Sequence, residues 1–218
     1  MQRRIILFIG PSGSGKTHEV SKVVKDIDRI AIFDMVKDAQ YLDDKKTVVI
    51  DGNLRQFGNE IKQDKKAFKV VYHPKNVEPL ENGLVESPEF GYVVRLCHAR
   101  GDMYLVIDEA HLWCNSYNCP TDLMMANLVG RHNEFSMILV AQRVTGIHPA
   151  IRENTDEFYF WKIINPASLK VIEENCGKDV AEQVKNLRAV ELDEKDNFKS
   201  PGQMLHWTKF RGVVEVTE

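Results

Sequence analysis

Apolar residues fall in short runs separated by stretches of helical periodicity. Residues 4–9, 30–33, 47–50, 68–72, 103–107, 137–141 and 158–163 read as strands. Residues 17–27, 92–99, 122–132, 167–175 and 179–187 read as helices, the last two meeting at Gly177, and Thr121 is placed to cap the third. Short apolar strands alternating with helices predict parallel β-α-β units, and so an open, mostly parallel α/β sheet with helices on both faces. The runs at 103–107 and 137–141 are continuously apolar, as strands covered on both sides of a central sheet are. Two stretches break the alternation. Residues 74–91 carry three prolines and two glycines among many acids and read as a loop or small excursion. Residues 191–202 are polar and end on the turn Ser200-Pro201-Gly202, ahead of a hairpin-like segment at 203–216.

With 218 residues the chain has the size of one domain, with a core over about 3–190 and a C-terminal hairpin or extension over about 191–218. A chain this long buries about 70% of its extended surface and needs no disulfides. Its 43% hydrophobic content and net charge of −3 exclude a mainly disordered chain. The longest apolar runs, such as residues 5–9, fall far short of the ~20 residues of a membrane span. Met1-Gln2-Arg3-Arg4 before an apolar run imitates a signal peptide, but that run leads straight into a glycine-rich loop. Lys plus Arg number 29 against 32 acids, so any contact with DNA must come from a local basic patch, or from patches summed over subunits. Cys97, Cys114, Cys119 and Cys176 read as free thiols; Cys114 and Cys119 with His111 and His132 are a conceivable metal set that lacks a second cysteine pair.

The loop is Gly10-Pro11-Ser12-Gly13-Ser14-Gly15-Lys16-Thr17, a match to G-x-x-x-x-G-K-[ST] set between a predicted strand and a predicted helix. Glycines let successive N–H groups turn toward phosphate oxygens, and the helix N-terminus adds partial positive charge. Lys16 is placed for the β- and γ-phosphates and the Thr17 hydroxyl for Mg²⁺. A glycine-rich turn beside a surface lysine would not require the strand–loop–helix context seen here.

Residues 103–107 run into Asp108-Glu109. A carboxylate at the carboxyl tip of a buried strand sits where sheet ligands bind, so Asp108 is the candidate metal ligand. Glu109, pointing elsewhere, is the candidate base for an attacking water. The strand at 137–141 carries Gln142-Arg143 at its tip, and Gln142 is placed to sense the γ-phosphate. An arginine completing the charge clamp can come from a neighbouring subunit.

These residues together resemble the FtsK/HerA superfamily of ring-forming DNA-pumping ATPases, most of all the genome-packaging ATPases of internal-membrane viruses. The likeness rests on Gly10–Thr17, Ile107 to His111, Gly130-Arg131, and Leu139-Val140-Ala141-Gln142-Arg143. Residues 147–152 and Asn165-Pro166-Ala167-Ser168-Leu169 add to it, with Asp34 and Tyr41 as weaker matches. The resemblance implies a RecA-like P-loop NTPase core with the Gln142 strand between the P-loop and Asp108 strands. It implies ATP and Mg²⁺ as cofactors, double-stranded DNA as substrate, and a homo-oligomeric ring, usually a hexamer. A capsid or membrane vertex protein would dock the motor, in the host-cell cytoplasm or the virion. It further implies that Arg131 reaches into the next subunit's ATP site, with Arg143 and Arg152 as fallbacks.

No base-reading motif is present, as sequence-independent phosphate contact would require. The loop at 112–121, with Trp113 and Tyr117, follows the acids and is a candidate route to DNA, whereas the lysines of 62–69 read as a solvated face. Plasmid, cellular or phage-assembly transport by the same machinery is the main alternative. A small-molecule kinase does not call for Glu109, a GTPase would carry Asn-Lys-x-Asp, and a nucleotide-gated scaffold has no need of Lys16, Asp108 and Glu109 together.

Overall fold

The computed structural model describes residues 3–37, 41, 46–62, 66–192, 198–200 and 202–217. Strand β1 (Ile5–Ile9) is buried throughout: Ile5, Leu7 and Ile9 face one layer, Ile6 and Phe8 the other. In chain order follow α1 (Lys16–Val24), β2 (Arg29–Phe33), β3 (Thr47–Asp51), α2 (Leu54–Lys62) and β4 (Phe68–His73). A ribbon of β5 (Glu78–Pro79) and β6 (Val85–Glu86) leads to α3 (Pro88–Arg100), β7 (Met103–Ile107), α4 (Ala110–Trp113) and α5 (Thr121–Val129). Then come β8 (Phe135–Ala141), α6 (Pro149–Glu153), β9 (Glu157–Trp161), α7 (Pro166–Cys176) and α8 (Lys178–Asn186). The chain closes with a ribbon of β10 (Glu191–Leu192) and β11 (Phe198–Ser200) and a hairpin of β12 (Met204–Thr208) and β13 (Gly212–Val216).

Among the described residues the main sheet has nine strands, in the order β13-β12-β9-β1-β8-β7-β2-β4-β3. From β9 to β3 every pairing is parallel, while β12 runs antiparallel to β9 and β13 to β12. Parallel neighbours need crossovers, and the crossing helices cover both faces. Residues of α2, α3, α5, α7 and α8 join the larger apolar cluster, and Val20 and Val24 of α1 join the smaller one on the opposite face. As the RecA-like reading requires, β8 lies between β1 and β7. The register pairs Ile9 with Ala141 and Ile107 with Leu139, so the chain leaves all three strands along one rim.

Helix starts follow local chemistry. Ser87 accepts from the Glu89 N–H (3.1 Å) with Pro88 in the first turn, so α3 begins at Pro88 rather than at 92, inside the stretch read as loop. The motif residues Asn165-Pro166 serve the same purpose: Asn165 Oδ1 accepts from the Ser168 N–H at 3.1 Å. Thr121 is not the cap of α5. Pro120 holds an extended entry (φ −53°, ψ 136°), so the helix begins at Thr121 itself. At its other end α5 stops at Val129 and tightens into a 3₁₀ turn over Gly130–Asn133.

Trp113 does not face solvent. The chain after Glu109 folds back as α4, which drives the indole against Phe90 (centroids 4.3 Å apart, stacked) and edge-on to Phe33 (5.3 Å). Tyr117, in the same connection, is 89% exposed. Lys62 and Lys66 are exposed, whereas Lys65, like Pro201 of the predicted turn, lies outside the described residues. Among the described residues no helix is long and apolar enough to cross a membrane.

Candidate active site

The loop from Gly10 to Gly15 is shaped by positions that exclude a side chain. Gly13 (φ 70°) and Gly15 (φ 96°) occupy the left-handed region. At Gly10 a Cβ would stand 2.8 Å from Trp161 Cβ and 2.9 Å from Ser14 Oγ. Gly15 opens α1 without a side-chain cap, which leaves the first-turn N–H groups facing the loop for an anion. Lys16 is buried, and its ammonium donates to the Gly10 (2.8 Å) and Pro11 (2.7 Å) carbonyls. Burial lowers its pKa, opposed by the nearby charges of Glu109 and Asp108. The buried Ser14 hydroxyl has no hydrogen-bond partner among the described residues.

Asp108 leaves the tip of β7 with 7% exposure. Its Oδ1 accepts from the Glu109 N–H at 2.9 Å, and burial pushes its pKa up to about 6. A cavity of about 390 Å³ collects Asp108 and Glu109 together with Lys16, Thr17 and Tyr41. The buried Tyr41 hydroxyl lies beside Asp108 and Thr17 without forming a hydrogen bond of good geometry. A buried carboxylate with a raised pKa, a threonine hydroxyl and a buried phenol in one cavity fit a nucleotide-bound Mg²⁺.

Among the described residues Glu109 is one of few non-glycines with positive φ (47°), and its carboxylate turns from Asp108 toward the tip of β8. There the Gln142 amide donates to both Glu109 oxygens at 3.3 Å. Gln142 therefore sits on the rim as expected, but it is joined to the candidate base. His111 Nδ1 stands 3.2 Å from Glu109 Oε2 without hydrogen-bond geometry. Burial lowers the His111 pKa, against the pull of Glu109. At Gly146 a Cβ would meet His111 Cβ at 2.7 Å, so the bare backbone there gives the histidine its place.

The three arginines separate. Arg131 is exposed on the turn before β8, close enough to Arg3 at the start of β1 to be felt electrostatically. It stands on the amino rim, with the seven residues of β8, about 23 Å, between it and Gln142. Arg131 is thus outside its own chain's phosphate loop. Arg143 is exposed at the loop's edge. Arg152 is buried in α6, its Nε and Nη1 without a hydrogen-bond partner among the described residues. Cys114 and Cys119 carry free thiols, and His132 belongs to the amino rim with Arg131.

A sequence profile of the zonular occludens toxin (Zot) family matches residues 4–163, from the first strand through the tip of β9. The chain belongs to the Zot family. The matched span of this Zot-family chain contains the phosphate loop, both acids, Gln142 and all three arginines. Among solved structures, the genome packaging NTPase B204 of Sulfolobus turreted icosahedral virus 2 with AMPPCP is similar at TM-score 0.72 and 18% identity, over 99% of this chain and 97% of that one. The DNA-packaging ATPase B204 of Sulfolobus turreted icosahedral virus gives 0.67 and 19%, over 100% and 98%. The conjugation coupling protein TcpA of pCW3 with ATPγS gives 0.52 and 13%, over 98% and 59%. At such identities the likeness is one of fold, and it is the P-loop NTPase fold expected from the motifs. No curated protein matches the chain.

Sequence reasoning missed the approach of His111 to Glu109, and the part played by Trp161 against Gly10. Neither has a local signature; both depend on which strand tips the topology makes neighbours.

Proposed function

We propose that the protein hydrolyses ATP to move double-stranded DNA, as one subunit of a ring that packages a viral genome. One observation carries the reading: beside a phosphate loop and a buried metal-type carboxylate, a second acid, Glu109, is held by Gln142 at the tip of the intervening strand. A P-loop alone serves many reactions, but an acid at this place is what activation of water calls for.

Thr17 and Asp108 would hold Mg²⁺, which when bound neutralises charge on the β- and γ-phosphate oxygens. The loop N–H groups and α1 bind the phosphates, and Lys16 exchanges its two carbonyl partners for phosphate oxygens. Glu109 accepts the proton of the water attacking the γ-phosphorus as the bridging oxygen leaves with ADP. Gln142, hydrogen-bonded to Glu109, orients that carboxylate and would sense the γ-phosphate through it. Arg131, remote from its own loop, serves the site of a neighbouring copy, and Arg143 is the alternative within the chain. The likeness of fold to packaging NTPases supports the packaging role.

ATPase assays with and without double-stranded DNA test the chemistry. Glu109→Gln is expected to lower kcat by about 10²–10⁴ while ATP binding persists; normal turnover by that variant overturns the mechanism. DNA-stimulated turnover and displacement of a bound third strand are expected of wild type, and their absence removes the translocase role. Transport in conjugation or phage assembly is a second reading, favoured by membership of the Zot family and the TcpA-like fold. Loss of packaged genomes on Glu109→Gln, with capsids still formed, separates the two.

A further inference from the structure

Cys114 closes α4 and Cys119 follows it across a short tip, residues 115–118. The tip is tied as a turn. The Asn115 N–H donates to the Asn118 carbonyl at 2.8 Å, and Asn115 Oδ1 accepts from the N–H groups of Tyr117 (2.9 Å) and Asn118 (2.8 Å). It is also fastened to the chain that follows Gln142: the Ser116 hydroxyl donates to the Thr145 carbonyl at 2.8 Å, and Cys114 Sγ lies 3.8 Å from the Gly146 carbonyl. The exposed Tyr117 projects from this turn.

The turn brings the two cysteines side by side. Cys114 is extended (φ −143°, ψ 161°), and positions just outside a hydrogen-bonded antiparallel pair have Cα atoms about 4.5 Å apart. That spacing falls within the roughly 4.4–6.8 Å that a disulfide spans. The thiols are close enough for each to act on the other's proton: contact with Cys119 lowers the Cys114 pKa, and contact with Cys114 raises that of Cys119. Cys114 is buried and Cys119 half-buried. Among the described residues no third His, Cys, Asp or Glu joins them in a group fit to hold a metal, so His111 and His132 do not complete the set.

We propose that Cys114 and Cys119 are a redox modification site, forming a reversible disulfide that staples the tip carrying Tyr117. The oxidant is a low-molecular-weight disulfide such as glutathione disulfide. Access selects Cys119 as the attacking sulfur. Its thiolate bonds to one glutathione sulfur while the other glutathione leaves as thiolate. Cys114 then attacks the Cys119 sulfur and releases the second glutathione. The two cysteine protons go to the two departing glutathiones, so two cysteines are oxidised and one glutathione disulfide is reduced. Neither sulfur lines the cavity of the phosphate loop and the two acids, and the site stands independently of the nucleotide-hydrolase reading.

In the test, the native full chain is incubated with glutathione disulfide and its remaining thiols are blocked with iodoacetamide. The denatured protein is then digested with chymotrypsin, which cuts after Tyr117, and the peptides are weighed by mass spectrometry. Peptides from either side of the Tyr117–Asn118 bond should emerge joined, with no glutathione retained on either cysteine, and dithiothreitol should part them. The bridge should form at least about tenfold faster than glutathione adds to Cys97, buried in α3, or to Cys176 at the end of α7. Cys114→Ser should instead hold a stable glutathione on Cys119, and Cys119→Ser should leave the buried Cys114 unmodified. Wild type that stays reduced, keeps glutathione on Cys119, or joins Cys119 to a second copy overturns the proposal, and this arm needs no variant to fold. A Cys114→Ser chain whose Cys119 stays bare overturns the order of attack.

Discussion

Asp108→Asn should make the metal-free protein more stable and deprive it of stabilisation by magnesium nucleotide. Asp108 is 7% exposed, and burial raises its pKa from an ordinary 3.8 to about 6 in the folded chain. As pH rises, the unfolded chain therefore ionises this carboxyl first. The penalty is absent below the unfolded value, grows between about pH 4 and 6, and is complete above the folded value. A shift of this size corresponds to about 3 kcal/mol. Asparagine keeps an oxygen for the Glu109 N–H and sheds the charge. At about 2–4 °C per kcal/mol for a chain of this size, Tm in the presence of EDTA should rise by about 6–12 °C at pH 8 and stay unchanged near pH 4. With Mg²⁺ and ATP at a hundredfold excess over Kd, wild type should gain about 2.7 kcal/mol that the variant lacks, closing the gap. Differential scanning calorimetry at the two pH values decides the matter. Equal melting at pH 8, or a difference that ignores pH, refutes the claim that an uncompensated buried charge waits at the tip of β7.

Other consequences concern the scaffold. Glu89 is buried and accepts from the Tyr72 hydroxyl (2.8 Å), the Lys75 and Asn76 N–H groups (3.1 Å each) and the Asn76 side chain (2.6 Å). Glu89→Ala strands these donors and should cost about 3–5 kcal/mol in urea unfolding, with Glu89→Gln losing less. Gly10→Ala forces overpacking against Trp161 worth about 1–3 kcal/mol, to be read as a lower Tm and weaker nucleotide binding by calorimetry. Trp113→Ala should destabilise by about 3–5 kcal/mol and Tyr117→Ala by under about 0.5, the reverse of what a DNA-facing Trp113 would give.

The strands and the phosphate loop were legible because their signals are local. Continuous apolarity marks a strand covered twice, and G-x-x-x-x-G-K-[ST] encodes its own backbone geometry in Gly13 and Gly15. The start of α3 was missed because prolines and acids read as loop, whereas Ser87-Pro88-Glu89 is a helix entry. Trp113 was misplaced because its fate depends on the fold-back after Glu109 rather than on the polar residues around it. The pairing of Arg188 with Gln203, beside Gly202, had no local signal: these partners follow Arg188 along the chain only after an intervening ribbon.

Arg131, expected to reach a neighbouring subunit, lies between Asp108-Glu109 and Gln142 in the chain, but a strand intervenes, and each strand of a parallel sheet carries the chain from one rim to the other. A residue just before β8 must lie on the amino rim if Gln142, just after it, lies on the carboxyl rim. No rotamer of an arginine spans the roughly 23 Å of β8, so Arg131 meets a phosphate loop only if another copy brings its own to that rim. Mixed assemblies then give a sharp expectation. Arg131→Ala subunits, whose Glu109 is intact, combined with Glu109→Gln subunits, whose Arg131 is intact, should recover turnover at the boundaries between them. Two inactive variants that remain inactive in every mixture, while still co-assembling, would return the charge clamp to Arg143 at the loop's own edge.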